Sequence, residues 1–570
     1  MKKMKEFFYV HRGLVLTIIL TFLGVFSIFS FVVPRYTNNM GGVHSWLSGS
    51  TIKFVNYWLD EGATNLKFTN YESPASIEFN KLEDRTPYLS YPSGETFFVY
   101  ITARVLGKNQ ITISFLHKFQ LIMFTFEAVL LAVFVYFFLS RTVKLKKELG
   151  KVVVSVLSAL LWVLLPTCSY YLLNVYYSDQ CVILWIMGMI LIEYLCRTSK
   201  KEKNIFLKCL RAFILFSGLL IDYYFWIFTF VLFVVELWGA CLANSKEKKK
   251  KKLLNTIMWF GVPAILAFLV FYVQLIQTNN WFNIMTEKFT MRVVGRENDT
   301  LEWELDTIGE NFANAFTLNT AMINYLLLIF IGVVVVSFIV LIKRKKIKSL
   351  IVNPGISIVF SCVLAIIMQI YFLKQHSAIH EFSMIKVGWV VAVLPILMSL
   401  TIIYVFRLKP NLLIPFFKTK ISLFVPIYLI CFLVICAVVG VPFSASSFIE
   451  SRIELVKYDF EEMINENTNY EDVLFSFSKE IVMNPPQSLA ISNKRIYKIK
   501  NISDIDKKFP NLPEEAVKVL VVEKKVELEK KKRMQQDCLV KNADIRIETG
   551  SYYLYDLKNI NKCIKEYNEK

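Results

Sequence analysis

Residues 13–33 read GLVLTIILTFLGVFSIFSFVV, without one charged side chain, behind the basic opening Met1-Lys-Lys-Met-Lys5 and Arg12. A membrane-spanning helix needs about 20 mainly apolar residues, and this run supplies them. No small-residue cleavage motif follows it, so the sequence predicts a signal anchor rather than a cleaved signal peptide. Working outward, comparable runs lie at 119–140, 152–173, 180–196, 205–221, 223–241, 254–277, 322–342, 350–373, 384–406 and 421–442. With the first, they make eleven expected spans. The stretch 205–241 is read as two short spans with a turn near Asp222. One span there would put the later basic runs on the opposite side from the earlier ones.

Composition agrees. Of 570 residues, 55% are hydrophobic, 15% aromatic and only 19% charged, with a mean hydropathy of +0.46. Soluble chains average roughly 25% charged residues. A disordered chain, a coiled coil, a secreted disulfide scaffold and an ordinary cytosolic enzyme are excluded. The formal charge of +19 would suggest nucleic acid in a soluble protein. Here the lysines and arginines gather in short runs between apolar segments: Lys2 to Arg12, Arg141 to Lys151, Arg197 to Lys208, Lys246 to Lys252, Lys343 to Lys348 and Arg407 to Lys420. All fall on one side if eleven spans are counted, and the positive-inside rule makes that side cytoplasmic. The charge is a topology signal, and no nucleic-acid partner is expected. The ten cysteines form no CxxC or CxxH pattern, which excludes zinc ribbons and redox motifs.

The expected fold class is an all-α polytopic membrane protein of about eleven transmembrane helices, spanning 1–442, with a small extracytoplasmic α/β domain at 443–570. The N-terminus is expected in the cytoplasm. Cytoplasmic loops are short and basic, and no GxxxxGK[ST] occurs, so a nucleotide-driven pump is excluded. The outer side carries a first loop at 34–118, a short loop around Asp179, the turn at Asp222, a loop at 278–321, a short loop at 374–383 and the tail. In the tail, Ser488 to Ser492 and Val517 to Val522 read as strands, and 450–466 and 524–536 as helices. Cys538 and Cys563 are the tail's only cysteines. An oxidising exterior permits a disulfide, and two free thiols are the alternative.

The first loop begins with Gly41-Gly-Val-His44-Ser-Trp. Segment 44–60 turns Leu47, Phe54, Val55, Trp58 and Leu59 towards one helical face, as in a helix lying along the outer interface with its aromatic side against lipid. Further on come Pro87-Tyr-Leu-Ser-Tyr91-Pro92-Ser93-Gly94 and a second amphipathic segment at 95–107. In this order of span, interfacial helix, polar loop, Tyr-Pro-Ser-Gly turn, interfacial helix and span, residues 1–442 resemble the GT-C glycosyltransferases. These polytopic enzymes use polyprenyl-phosphate-linked sugars and include protein O-mannosyltransferases, oligosaccharyltransferases and aminoarabinose transferases. The resemblance implies a donor carried on polyprenyl phosphate and a catalytic base in the outer loops. It also implies a first-loop acid soon after the first span, whereas this chain has no carboxylate there before Asp60. Either His44 takes the base role, or Asp60, Glu61, Glu78 or another loop acid does. Tyr91 opens the turn that looks like the family's Pro-containing turn, and Asp179 lies in what looks like its second outer loop.

The residues carry their own chemistry. Of the five histidines, His11, His44, His117, His376 and His380, the last two are i and i+4 and would share a helical face. Such a pair binds a metal or a phosphate, or orients an acceptor hydroxyl; otherwise both rings simply meet headgroups and water. His44 is either a base, with an ordinary pKa of about 6.5 suited to neutral pH, or a polar residue at a helix start. Asp179 is either catalytic or a helix N-cap. Asp222, in Gly218-Leu-Leu-Ile-Asp222, needs a cation or a wet cavity. Arg292 and Arg296 suit a lipid phosphate, because guanidinium pairs phosphate oxygens bidentately. Glu381 follows the histidine pair. A divalent ion is left open: Asp179 with a loop acid, or the His pair, could hold one, and no spacing is diagnostic.

The expected function is therefore inverting transfer of a sugar from a polyprenyl phosphate to an envelope glycan, a lipid-linked glycan or a protein at the outer face. A lipid-linked glycan flippase is the contrasting reading, although internal repeats and midplane charges are not evident. A polysaccharide polymerase or ligase using a pyrophosphate-linked donor is the other. The Lys-, Ile- and Asn-rich usage points to a low-GC bacterium and its cytoplasmic membrane.

Overall fold

The structure is a computed structural model that describes residues 11–32, 40–199, 205–241, 245–277, 281–294, 301–316, 353–390, 392–393, 397, 447, 449–452, 454, 456–479, 481 and 486–568. The described chain forms two compact units. The first comprises 1–38, 89–95 and 114–453; the second comprises 39–88, 96–113 and 454–570.

The first unit is helical. Among the described residues, six helices are long and apolar enough to cross a membrane. They fall on the expected spans at 13–33, 119–140, 180–196, 223–241, 254–277 and 350–373. The expected span 152–173 is a bent pair, Glu148–Leu164 and Pro166–Asn174, meeting at 71°. Pro166 stands at the start of the second helix, where its ring and missing N–H end the first. Ile205–Leu219 is 15 residues long, shorter than a straight crossing of about 20 residues. It is followed at once by Tyr223–Cys241, so the 205–241 stretch does break beside Asp222. Spans 322–342 and 421–442, and most of 384–406, lie outside the described residues, so the count of eleven stays an expectation. The helices bury one stripe and leave another apolar: in Arg12–Val32, Val25 and Phe29 are buried while Phe22, Leu23 and Phe26 are exposed. An apolar face exposed along a whole helix belongs against lipid.

The second unit holds the carboxy-terminal sheet, made of β1 (Asp472–Ser476), β2 (Ile496–Lys498), β3 (Val517–Glu523), β4 (Ala543–Glu548) and β5 (Tyr552–Leu557). The strand order is β2-β1-β3-β5-β4. β1 runs parallel to β2 and β3, and β5 antiparallel to β3 and β4. Leu520 packs on one face with Phe475, Ile505 and Leu539, and Val519 and Val521 on the other with Leu474, Leu554 and Ile464. A strand covered on both faces reads as a continuous apolar run, which is how Val517 to Val522 was legible. Ser488 to Ser492 is a correction: it lies in the helix Pro486–Ser492. Five residues of Ser, Leu, Ala and Ile carry no decisive period, and a proline at the first helical position favours the helix. Cys538 and Cys563 are joined in a disulfide, tying Lys530–Lys541 to Ile560–Asn568.

The first-loop helix Trp46–Glu61 belongs to this unit, and its environment corrects the expected interfacial helix. Leu47, Phe54, Val55 and Trp58 are all at most 2% exposed, and Ser48, Thr51 and Lys53 on other faces are buried too. A Cβ on Gly49 would stand 2.7 Å from the backbone nitrogen of Gln487, so the helix packs against Pro486–Ser492. Its apolar side is covered by protein, not by lipid. This pairing groups most of the first loop with the tail, where the sequence reading divided the chain once, at 442.

Candidate active site

Four segments of the first unit converge. Ser178–Thr198 starts with Asp179 in its first turn. Asp222 caps Tyr223–Cys241, its Oδ1 accepting from the Tyr224 N–H at 2.6 Å. The Tyr91-Pro92-Ser93-Gly94 turn is pinned beside it: the Gly94 N–H donates to the Leu220 carbonyl at 2.9 Å, and Gln274 Nε2 donates to Ser93 Oγ at 2.7 Å. The fourth segment, Lys374–Ile379, carries His376. Asn311 holds it by donating to the Ser377 and Ala378 carbonyls at 3.1 and 2.6 Å.

At the centre stands Lys386. Its Nζ is 2.6 Å from Asp179 Oδ1 and donates to Asp222 Oδ1 and Oδ2 at 3.1 and 3.0 Å. Asp179, Asp222 and Lys386 are each 1% exposed. Carboxylates at such depth are costly without a cation, and here one ammonium serves two. His376 Nε2 lies 3.9 Å from Asp179 Oδ1 and 3.2 Å from the Tyr91 hydroxyl. Burial holds the His376 imidazole below its usual value, with Asp179 opposing. The resting ring is therefore neutral at neutral pH.

Tyr91 links this cluster to a cationic edge. The Arg292 guanidinium sits over its ring at 4.7 Å and donates to the Ser90 carbonyl at 3.0 Å. Lys288 Nζ donates to Ser90 Oγ at 2.9 Å. Tyr177 meets Tyr91 edge-on at 5.2 Å. The site thus runs from a buried cluster of carboxylates, ammonium and imidazole to a basic, aromatic edge.

Of the residues singled out in the sequence, Asp179, Asp222, His376, Tyr91 and Arg292 come together. His380 adjoins His376 from the residue that caps the helix rather than from within it. The helix ends at Ile379, and the two rings pack edge to face with centroids 4.6 Å apart, while His380 stacks on Phe382. Glu381 accepts from the Tyr171 hydroxyl and pairs with Arg452 at 3.3 Å. In the second unit, Glu61 is held bidentately by Arg85 at 2.6 and 3.1 Å, and Glu78 accepts from the Tyr497 hydroxyl at 2.9 Å. Asp60 is exposed at the end of its helix. His44, also in that unit, takes a left-handed φ of 63° where the chain turns into Trp46–Glu61. Arg296 lies outside the described residues. Sequence reasoning missed Lys386 and Lys288. A lone lysine inside the apolar run Phe382-Ser-Met-Ile-Lys386-Val-Gly-Trp was the available signal for the first.

A divalent ion does not fit the donors. Asp179 and Asp222 are already bridged by Lys386, and among the described residues no three His, Cys, Asp or Glu side chains stand together as a metal site needs.

No family model matches the chain, and no curated protein does. Solved structures match throughout its length. Similarity to the oligosaccharyltransferase of Archaeoglobus fulgidus in its apo form has a TM-score of 0.50 at 11% identity, over 90% of this chain and 70% of that one. The same protein, AglB, bound to an inhibitory peptide and a dolichol-phosphate, matches with the same values. ArnT from Cupriavidus metallidurans bound to undecaprenyl phosphate has a TM-score of 0.50 at 9% identity, over 97% of this chain and 98% of that one. The architecture is that of a multi-pass membrane protein. Its fold is the one these solved structures share.

Proposed function

We propose that this chain is a GT-C-type membrane glycosyltransferase that moves a sugar from a polyprenyl-phosphate donor to an acceptor hydroxyl or amide at the outer face of a bacterial cytoplasmic membrane. The observation that carries the reading is the run from the buried Asp179–Lys386–Asp222 cluster, through His376 and Tyr91, to Arg292 and Lys288, in a chain of this fold. In this reading the run supplies a base, fixed charges and cations for the donor phosphate. The two neighbours described with dolichol-phosphate and undecaprenyl phosphate support a lipid-phosphate carrier. The basic loops and the Cys538–Cys563 disulfide support an outer location for the tail and a cytoplasmic N-terminus. The acceptor is an envelope glycan, a lipid-linked glycan or a protein.

In this reading Arg292 and Lys288 bind the donor phosphate and carry the charge it gains as it leaves. The acceptor oxygen attacks C1 from the opposite side and inverts it. The C1–O bond to phosphate breaks with its electron pair going to the phosphate oxygen. The acceptor proton passes to neutral His376 Nε2, reached through the Tyr91 hydroxyl. Two carboxylates and one ammonium leave the cluster with one net negative charge, which stabilises the imidazolium that forms. No step runs through a metal ion. His44 and His380 remain proposed alternatives for the base.

The test is sugar release or transfer from a panel of polyprenyl-phosphate and polyprenyl-pyrophosphate donors by the lipid-reconstituted chain, against His376→Ala, Asp179→Ala, Arg292→Ala, His44→Ala and His380→Ala. A positioned base contributes about 10²–10⁴-fold, so His376→Ala should lose that much while staying folded. Turnover with pyrophosphate donors alone would favour the polymerase or ligase reading. No turnover with any donor would favour a flippase.

A further inference from the structure

The Asp179–Lys386–Asp222 cluster concerns cations as well as catalysis. Two carboxylates reach one point from separate helix starts, each 1% exposed. Like charges at that separation, away from water, need a positive charge between them. Oxygen pairs of this kind commonly hold a divalent ion at about 2.0–2.6 Å from each oxygen. Here the point is filled from within the chain. Lys386 Nζ lies 2.6 Å from Asp179 Oδ1 and 3.1 and 3.0 Å from the Asp222 oxygens. An ammonium has three N–H donors, and three carboxylate oxygens surround this one. Behind it, the Tyr224 ring lies 5.7 Å from Nζ. A metal ion could take the same oxygens only by displacing the lysine head.

We infer that Lys386 is a tethered cation occupying the position where a divalent ion would otherwise bridge Asp179 and Asp222. Two consequences follow: the chain works without divalent metal, and deleting the Lys386 amine opens a divalent-cation site. The second needs nothing from the proposed transfer reaction, so metal binding and turnover can fail separately.

The experiment is Mn²⁺ titration followed by electron paramagnetic resonance and by thermal unfolding. It uses the full, lipid-reconstituted chain, with Lys386→Ala, Asp222→Asn and the Lys386→Ala/Asp222→Asn pair alongside. The parent should take up no Mn²⁺ that Asp222→Asn abolishes, and chelator should change neither its unfolding temperature nor its turnover of any active donor. Lys386→Ala should bind one Mn²⁺ and gain thermal stability from it, and the double variant should lose both effects. Mn²⁺ bound by the parent but not by Asp222→Asn would overturn the inference. A folded Lys386→Ala that takes no Mn²⁺ would overturn it as well. If Lys386→Ala cannot be purified, the parent against Asp222→Asn decides alone: a shared absence of Mn²⁺ with chelator-insensitive unfolding supports the tethered cation, and uptake lost in Asp222→Asn refutes it.

Discussion

Single side chains carry the sharpest expectations. His376 is buried beside Asp179 and held below the ordinary imidazole value. If neutral His376 is the base, kcat/KM should fall on the acid side with a midpoint below about 6.5. His376→Gln should remove that limb, and a pH profile that keeps it would assign it to another group. Glu78 behaves oppositely. Burial pushes its carboxyl up to about 7, although the Tyr497 hydroxyl opposes this. A carboxyl with a raised folded value stabilises the fold at low pH and loses that contribution as pH rises from about 4.5 through 7. Glu78→Gln should therefore match the parent near pH 4.5 and exceed it by up to about 3 kcal/mol above pH 8. Unfolding temperature against pH reads this directly, and parallel curves would refute it. At this scale the sequence offered Asp179, Asp222, His376 and Arg292 because charge or imidazole in apolar surroundings stands out. It hid Lys386, whose partners are 164 residues away or more.

At the scale of elements, the site depends on a turn meeting a turn. Gly94 brings Tyr91 against the Asp222 corner so closely that a Cβ there would lie 2.4 Å from the Leu220 carbonyl oxygen. That atom is backbone and cannot swing aside, so Gly94→Ala must push the two turns apart. Displacement by a fraction of an ångström moves the Tyr91 hydroxyl off His376. Positioning losses of this kind reach about 10²-fold, so turnover should drop by roughly that factor. A variant with unchanged kcat would show that the turn does not set the geometry. The Tyr-Pro-Ser-Gly motif was legible as a turn, whereas its docking partner was not. The helix Trp46–Glu61 makes the same point. Its apolar face was legible, but periodicity cannot say whether lipid or protein covers that face. The tail residues that do so, Ser488 to Ser492, read as a strand and not as a helix that pairs with it.

Across the whole molecule, the spans were the most readable feature, since hydrophobic length is local information. The grouping of loop and tail into one unit was not, because it rests on contacts such as Glu78 with Tyr497, 419 residues apart. Within that unit the Cys538–Cys563 bridge closes a loop with a sequence separation of 25. Loops of about that size contribute roughly 3 kcal/mol when cross-linked. Cys538→Ser/Cys563→Ser, or treatment of the parent with reductant, should lower the unfolding temperature by several degrees. A parent insensitive to reductant and equal in stability to the double variant would mean that the bridge does not form in the mature protein.

The burial of Trp46–Glu61 against Pro486–Ser492 has a consequence for how the chain is made. The helix leaves the ribosome more than 400 residues before its partner exists, as the 442-residue separation of Ser45 and Gln487 measures. At roughly 5–20 residues per second, that is tens of seconds during which Leu47, Phe54 and Trp58 have no cover of their own. During biogenesis, therefore, the second unit can close only after its tail segment has been delivered. Nascent chains stalled before the tail should expose that helix to proteases and to chaperones.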